Sequence, residues 1–269
     1  MTESMFPALL RYWRNTRGLS QLDLAAAAEV SPKHVSFLET SRSHPSREMV
    51  LRLGATLGLP LREQNALLEA AGFTAEFGDA TAVFDASIQR ALQLMLEKQE
   101  PYPLLVFDRN YDLTLMNGAA RRMLGLALGP RADAPLNVMK LLFDPELLRP
   151  FVIQWEHVAR VMLNRLQRED LLDRRDDRLR HLLSALCSYP GVPKDWRRPS
   201  LELPSEPLLT LNLQLGPRKI GFLSTVTVFS APQNVAVEEL HIESYYPLDA
   251  ETQAFCEELA RSASPSAPL

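Results

Sequence analysis

The chain has 269 residues, 46% apolar and 23% charged, with a net charge of −4. This is ordinary globular composition with room for two domains, and it excludes wholesale disorder and collagen-like repeats. No run approaches the ~18 uncharged apolar residues of a membrane-spanning helix, and the start MTESMFPALLRYWRN lacks the basic-then-apolar layout of a secretory leader.

Cys187 and Cys256 supply neither a disulfide framework nor a four-thiolate zinc site. They are expected to be reduced, buried thiols of a cytoplasmic protein. The charge is unevenly shared: Met1–Gly72 carries eight basic against seven acidic residues, the remainder 21 against 26. Neither balance demands a nucleic-acid partner, so any such reading rests on motif and arrangement.

In chain order, residues 1–73 read as five short helices. Leu9, Leu10, Trp13 and Arg14 open the first at helical spacing. Ser20 is the expected N-cap of a second, Gln21–Ala28. Ser31-Pro32 starts a third, with proline in the first turn where its missing N–H is harmless. Pro45-Ser46 leads into a fourth striped by Met49, Val50, Leu53 and Leu57; the fifth, Leu61–Ala71, ends at Gly72. Residues 74–100 read as a linker, ending in an amphipathic helix with Ile88, Ala91, Leu92, Met95 and Leu96 on one face. Pro101 stops that helix.

Residues 101–261 change texture. Leu104–Phe107 and Asp112–Met116 flank a turn and predict a β-hairpin. Asn117 caps a helix through Met123, and Leu136–Phe143, Phe151–Arg168 and Leu179–Cys187 predict three more. The charged run Arg168–Arg180 reads as a solvated loop or helix face. Leu208–Leu215, Gly221–Phe229 and Val237–Tyr246 read as strands, Asp249–Ala260 as a last helix and 262–269 as a disordered tail.

The informative stretch is Ser20-Gln21-Leu22-Asp23-Leu24-Ala25, Val30-Ser31 and Val35-Ser36-Phe37-Leu38-Glu39. Two short helices joined by a tight turn, with Val30, Val35 and Leu38 inward, leave Ser31, Lys33, His34, Ser36 and Phe37 outward. That is helix-turn-helix geometry, whose second helix enters the major groove. The ordered set Arg14, Gly18-Leu19-Ser20-Gln21, Leu24-Ala25, Val30-Ser31, Glu39, Pro45-Ser46 and Leu53 resembles the lambda-repressor-like, XRE-type five-helix domain. The resemblance implies that Gln21 meets a DNA phosphate and that Arg14 and Glu39 form a structural ion pair. Lys33 and His34 are then expected at base edges or phosphates, and Ser36 at phosphate or sugar. Phe37 either touches a thymine methyl or packs on Arg42 or a partner helix. Arg42 and Arg47 meet phosphates, at least one of them being ordinary solvated charge. Glu29 and Ser41 stand where many members have glycine, at a strain of roughly 1 kcal/mol.

Taken with Arg62-Glu63-Gln64-Asn65, Glu100-Pro101-Tyr102-Pro103, Asp108-Arg109, Asn117, Trp155, Ser224-Thr225-Val226-Thr227, Glu239-Leu240 and Tyr246-Pro247, the whole chain resembles the MmyB-like transcription regulators. This implies a bacterial regulator in which the five-helix domain precedes a PAS-like antiparallel-sheet domain with a helical insertion, an α plus α/β architecture. It also implies a fatty-acid-like effector; from the residues themselves, no other cofactor and no metal is expected. Phe107, Met116, Met123, Trp155, Val158, Met162, Phe222, Val226 and Val228 are candidate pocket residues. Arg160, His157 and His181, with Tyr246 behind them, are candidate donors to a carboxylate. Operator DNA and a second copy of the chain are the expected partners, with no membrane; the helix around Ile88–Leu96 and the sheet are the expected dimer contacts. The rival readings are a C-terminal domain that only dimerises or docks a partner, and an enzyme with an appended DNA-binding domain. The second has no support: the spacing of His181, Ser184 and Cys187 suits one helix face rather than a nucleophile–base pair, and Asp170, Asp173, Asp176 and Asp177 lack the glycine and glutamate of a calcium loop.

Overall fold

The computed structural model describes residues 5–78, 84–172, 177–197, 210–230 and 232–262. Residues 263–269 of the expected tail, the start of the strand at 208–209, the part of the linker at 79–83, and Asp173 and Asp176 lie outside the described residues; Ser262, expected in the tail, is the last residue of the final helix. The chain divides into two compact units, Met1–Phe84 with Phe229–Glu239, and Asp85–Val228 with Leu240–Leu269.

The first unit contains α1 (Phe6–Thr16), α2 (Gln21–Ala27), α3 (Pro32–Glu39), α4 (Arg47–Thr56) and α5 (Leu61–Ala70). Three serines start helices. The Ser20 hydroxyl accepts from the Asp23 N–H while Asp23 accepts from the Ser20 N–H, a reciprocal capping box. Ser31 caps α3 through the His34 N–H, and Ser46 caps α4 through the Met49 N–H. Glu29 and Ser41 adopt φ of 55° and 59°, the left-handed turns their positions implied. Phe6, Leu10, Leu24, Ala25, Val35, Leu38, Val50, Leu53, Leu67 and Leu68 form the buried core.

The second unit runs α6 (Ala86–Gln99), β1 (Leu104–Phe107), β2 (Leu113–Met116), α7 (Gly118–Leu128), α8 (Val138–Phe143), α9 (Trp155–Leu172), α10 (Asp177–Ser188), β3 (Thr210–Leu215) and β4 (Arg218–Thr227). The chain then makes α11 (Val235–Glu238), which belongs to the first unit, and returns as β5 (His241–Pro247) and α12 (Ala250–Ser262). The five strands form an antiparallel sheet in the order β2-β1-β5-β4-β3. Leu105 pairs with Glu243, Ser224 with Tyr245, and Leu211 with Phe222. Since alternate residues share a face, Leu105, Phe107, Leu211, Leu213, Ile220, Phe222 and Tyr245 are presented together. They join Leu141, Phe143, Trp155, Val158, Met162, Leu163, Leu166 and Leu186 of the helices in one core.

Several expectations need correction. The β-branched pair Val235 and Val237 suggested that a strand starts near 237, but Asn234 accepts from the Val237 N–H at 2.9 Å and caps a helical turn. A local cap outweighs strand propensity there. The helix expected from Phe151 begins at Trp155, after a 3-10 turn at Arg149–Phe151. It then runs into the charged segment, to Leu172, and α7 outlasts Met123 by more than a turn. Cys256 is buried as expected, but Cys187 is exposed on α10.

Asn117 holds the start of the sheet together. Its Oδ1 accepts from the Leu104 and Ala120 N–H groups, both at 3.0 Å, and its Nδ2 donates to the Tyr102 carbonyl at 2.8 Å. One buried side chain therefore caps α7 and fixes the entry to β1. Asn117→Ala should lower stability to chemical denaturation by about 2–3 kcal/mol, the sum of a lost cap and unsatisfied buried groups. Asn117→Asp, which keeps the acceptor but loses the donor, should cost less than the alanine.

Candidate functional site

The first candidate site is built around Glu39, whose side chain is fully buried at the end of α3. Arg14 of α1 donates to both carboxylate oxygens, at 2.6 and 3.1 Å, and also to the Leu19 carbonyl at 2.7 Å. Gln21 of α2 donates to Glu39 at 2.8 Å, and Arg11 donates to the Glu39 backbone carbonyl at 2.7 Å. Burial alone would raise the Glu39 carboxyl. Hydrogen bonds from Arg14 and Gln21, with the charges of Arg14 and Arg11, bring it below its ordinary value. The Arg14–Glu39 pair implied by the family resemblance is therefore present, and three helices meet on it.

The opposite side of α3 carries the expected outward residues. Lys33 is exposed, and His34, Ser36 and Phe37 are half-buried. The Lys33 ammonium lies 5.4 Å from the Phe37 ring centroid and the Arg42 guanidinium 6.0 Å from it. Phe37 is thus a platform for two cations. The Arg42 and Ser43 N–H groups both donate to the Phe37 carbonyl, fixing the turn that follows. Other expected contacts are drawn inward. Gln21 spends its amide on Glu39, Ser31 its hydroxyl on the cap, and Arg47 forms an ion pair with Glu76. Of the two arginines, Arg47 is the one engaged within the fold, and Arg42 is the one exposed beside α3.

In the second unit, Phe107, Trp155, Val158, Met162 and Phe222 lie in the buried core, with Met116 and Met123 packed at its edge. Val226, Val228 and Tyr246 are exposed, as is His181. The structure does bring Trp155, His157 and Arg160 together, with Pro145, Arg149, Pro150, Gln154 and Glu156, around a cleft of about 650 Å³. Trp155 Nε1 donates to the Leu142 carbonyl at 2.6 Å, and the Arg149 guanidinium stacks 3.6 Å from its ring centroid. Arg160 is paired with Asp195 at 2.6 Å. The His157 Nδ1 is buried and has no hydrogen-bond partner among the described residues. Arg149 was not foreseen, because its stacking on Trp155 depends on the intervening turn and not on any helical or strand spacing.

The sequence also gave no sign of a polar group within the core. Glu243 of β5 is almost wholly buried and takes hydrogen bonds from the Ser224 and Tyr245 hydroxyls, near the Arg165 guanidinium of α9. Arg165 donates to Glu169 at 3.0 Å, and Glu169 accepts from the Tyr111 hydroxyl at 2.7 Å. The rings of Phe107, Tyr111 and His241 pack as a near-parallel trio, with Phe107 5.4 Å from each of the others and those two 6.5 Å apart. Among the described residues, no group of three or more His, Cys, Asp and Glu side chains is placed to hold a metal ion.

Burial raises the Glu243 carboxyl, against the opposing pull of Ser224, Arg165 and Tyr245. A carboxyl raised on folding holds its proton longer in the folded state. Stability should therefore fall as pH rises from the ordinary carboxylate range to the raised value, and then level off. Thermal unfolding of Glu243→Gln against pH should show a flatter decline across that window than the parent chain. An unchanged slope would assign the decline to other groups.

Comparison with known proteins finds a family match in each unit. The MmyB-like transcription regulator ligand binding domain matches residues 88–259, and a helix-turn-helix family matches residues 10–64. The HTH-type transcriptional regulator DdrOP3 of Deinococcus deserti is 40% identical over 73 residues, which are 27% of this chain and 52% of that protein. The match thus spans about half the length of that relative. With the ligand-binding family covering well over half of its length, the chain belongs to the MmyB-like transcription regulators, a helix-turn-helix unit preceding the family's ligand-binding domain.

Proposed function

We propose that this chain is a sequence-specific, DNA-binding transcriptional regulator whose C-terminal domain senses a small apolar ligand of fatty-acid type. The observation that carries the first half is the outward face of α3, where Lys33 and Arg42 are both held on the Phe37 ring. The far side of the helix is locked by Val35, Leu38 and Glu39. A rigid helix with one cation near its N-terminus and another just past its C-terminus suits a major groove flanked by phosphates. Phe37 offers an apolar edge for a thymine methyl. Gln21 contributes to phosphate binding through the N-terminus of α2 rather than through its committed amide.

For the ligand, the cleft at the start of α9 supplies an aromatic wall in Trp155 and donors in His157 and Arg160, with Arg149 beside them. This supports an apolar chain ending in a carboxylate. The rival role, pairing or docking without a ligand, draws on the close packing of Phe107, Val158, Met162 and Phe222 in the same core. A near-neutral five-helix module covers one half-site and gains affinity by pairing, so the regulator acts as a cytoplasmic dimer. Leu94, 53% exposed on α6, supports a contact there. We assign no catalytic step.

Selection of operators from random duplex DNA with the full chain tests the first half. One enriched sequence with two half-sites is expected. Lys33→Ala should weaken binding by about 1–3 kcal/mol and relax the preference at one position, while Arg47→Ala should leave the preference unchanged. Recovery of no sequence above background would overturn the reading. Native mass spectrometry tests the second half: a bound lipid-sized mass lost on denaturation is expected, and a clean apo mass that stays apo with added dodecanoate would favour the rival.

A further inference from the structure

The connection between β4 and β5 is not packed as a loop of the sheet it joins. Residues 229–239 are compact with the helix-turn-helix unit. Three kinds of contact hold them there. The Val235 N–H donates to the Gly78 carbonyl at 3.0 Å, and Val235, Ala236 and Val237 are buried. A Glu238 carboxylate oxygen accepts from the Leu61 N–H at 2.7 Å. The two oxygens of Glu239 accept from Nε and Nη2 of Arg62 at 2.7 and 2.8 Å, a two-point charged pair.

The Glu238 contact is informative because of what α5 lacks. The helices α2, α3 and α4 each carry a serine cap, but the N-cap of α5 is Pro60, which offers no side-chain acceptor. The first N–H groups of a helix need partners from outside it. Here the partner is carried 177 positions further along the chain, on the connection between two strands of the ligand-binding sheet.

The roots of this connection are tightly defined. Thr227 of β4 and Ile242 of β5 are register partners, and Glu243, with its buried carboxylate, is the next residue, paired across to Val226. The covalent chain thus runs from this strand pair into a short helix whose end is hydrogen-bonded to the start of α5. We propose that residues 229–239 are a built-in latch that makes the state of the DNA-binding unit depend on the β4–β5 pair. It rests on the regulator reading above, and its coupling is reciprocal, as any equilibrium coupling must be.

The test is amide hydrogen exchange on the full chain, read over the start of α5 and over 229–239. Arg62→Glu and Glu239→Arg should each raise exchange in both segments together by about tenfold or more, as loss of a charged hydrogen-bonded pair implies. The charge-swapped double variant Arg62→Glu/Glu239→Arg should restore protection, which separates the latch from simple misfolding. Glu243→Gln should alter exchange at the start of α5 in the parent chain, but not when Glu239→Arg has opened the latch. If the single variants loosen only one segment, or Glu243→Gln is not felt at α5, the latch is overturned. Affinity for the selected operator should shift in the single variants and return in the swap. Unshifted affinity with a well-defined operator would overturn the regulatory role. Coupled exchange in a chain that selects no operator would leave the latch standing and fail the regulator reading instead.

Discussion

A carboxylate removed from water is tolerated only when its oxygens are met by donors and its charge by a cation. Glu39 is in that position, and the helix-turn-helix unit is arranged around the requirement. Arg14 brings α1, Gln21 brings α2, and Glu39 itself closes α3. The hydrogen bond from Arg14 to the Leu19 carbonyl ties in the turn between α1 and α2. With three helices pinned to one group, the roll of α3 about its axis is set, and with it which residues face outward. The Lys33–Phe37–Arg42 stack is then a surface presented at a fixed angle, which is the geometric condition for reading a groove.

The second unit follows a different logic. Its sheet is built of strands that alternate apolar residues toward the helices, and Asn117 fixes how the first of them begins. Within that apolar face, Glu243, Ser224 and Tyr245 make a polar island that reaches α9 through Arg165 and Glu169. Buried networks of this kind specify one arrangement of their partners, because every alternative leaves a group unsatisfied. Glu243 of this island is the residue next to Ile242, at the root of the β4–β5 connection.

The five helices were legible because each signal was local: Ser20 and Ser31 as caps, Pro45-Ser46 as the entry to the fourth, and apolar stripes at helical spacing. The Arg14–Glu39 pair came from the family resemblance, since nothing in a spacing of 25 residues announces a contact. The hairpin, the antiparallel sheet and the helical insertion followed from texture and turn signals. What could not be read depended on tertiary partners. Val235–Glu238 has strand-like residues but a helical cap. Glu243 looks like a solvent-facing strand residue until Ser224 and Tyr245 are brought beside it. Arg47 resembles a phosphate contact until Glu76 is found opposite, and Arg149 meets Trp155 only across a turn.

The claim that Glu39 organises the reading helix is tested most directly by a double-mutant cycle on the full chain, using Arg14→Met, Glu39→Leu and both together, followed by urea unfolding. Breaking one side of a buried pair should cost about 3–5 kcal/mol, because the other charge is left stranded. Replacing both should recover a large part of that loss, giving a coupling of at least about 1.5 kcal/mol. Losses that simply add, or single variants as stable as the parent, would contradict the account and place the control of α3 elsewhere in the core.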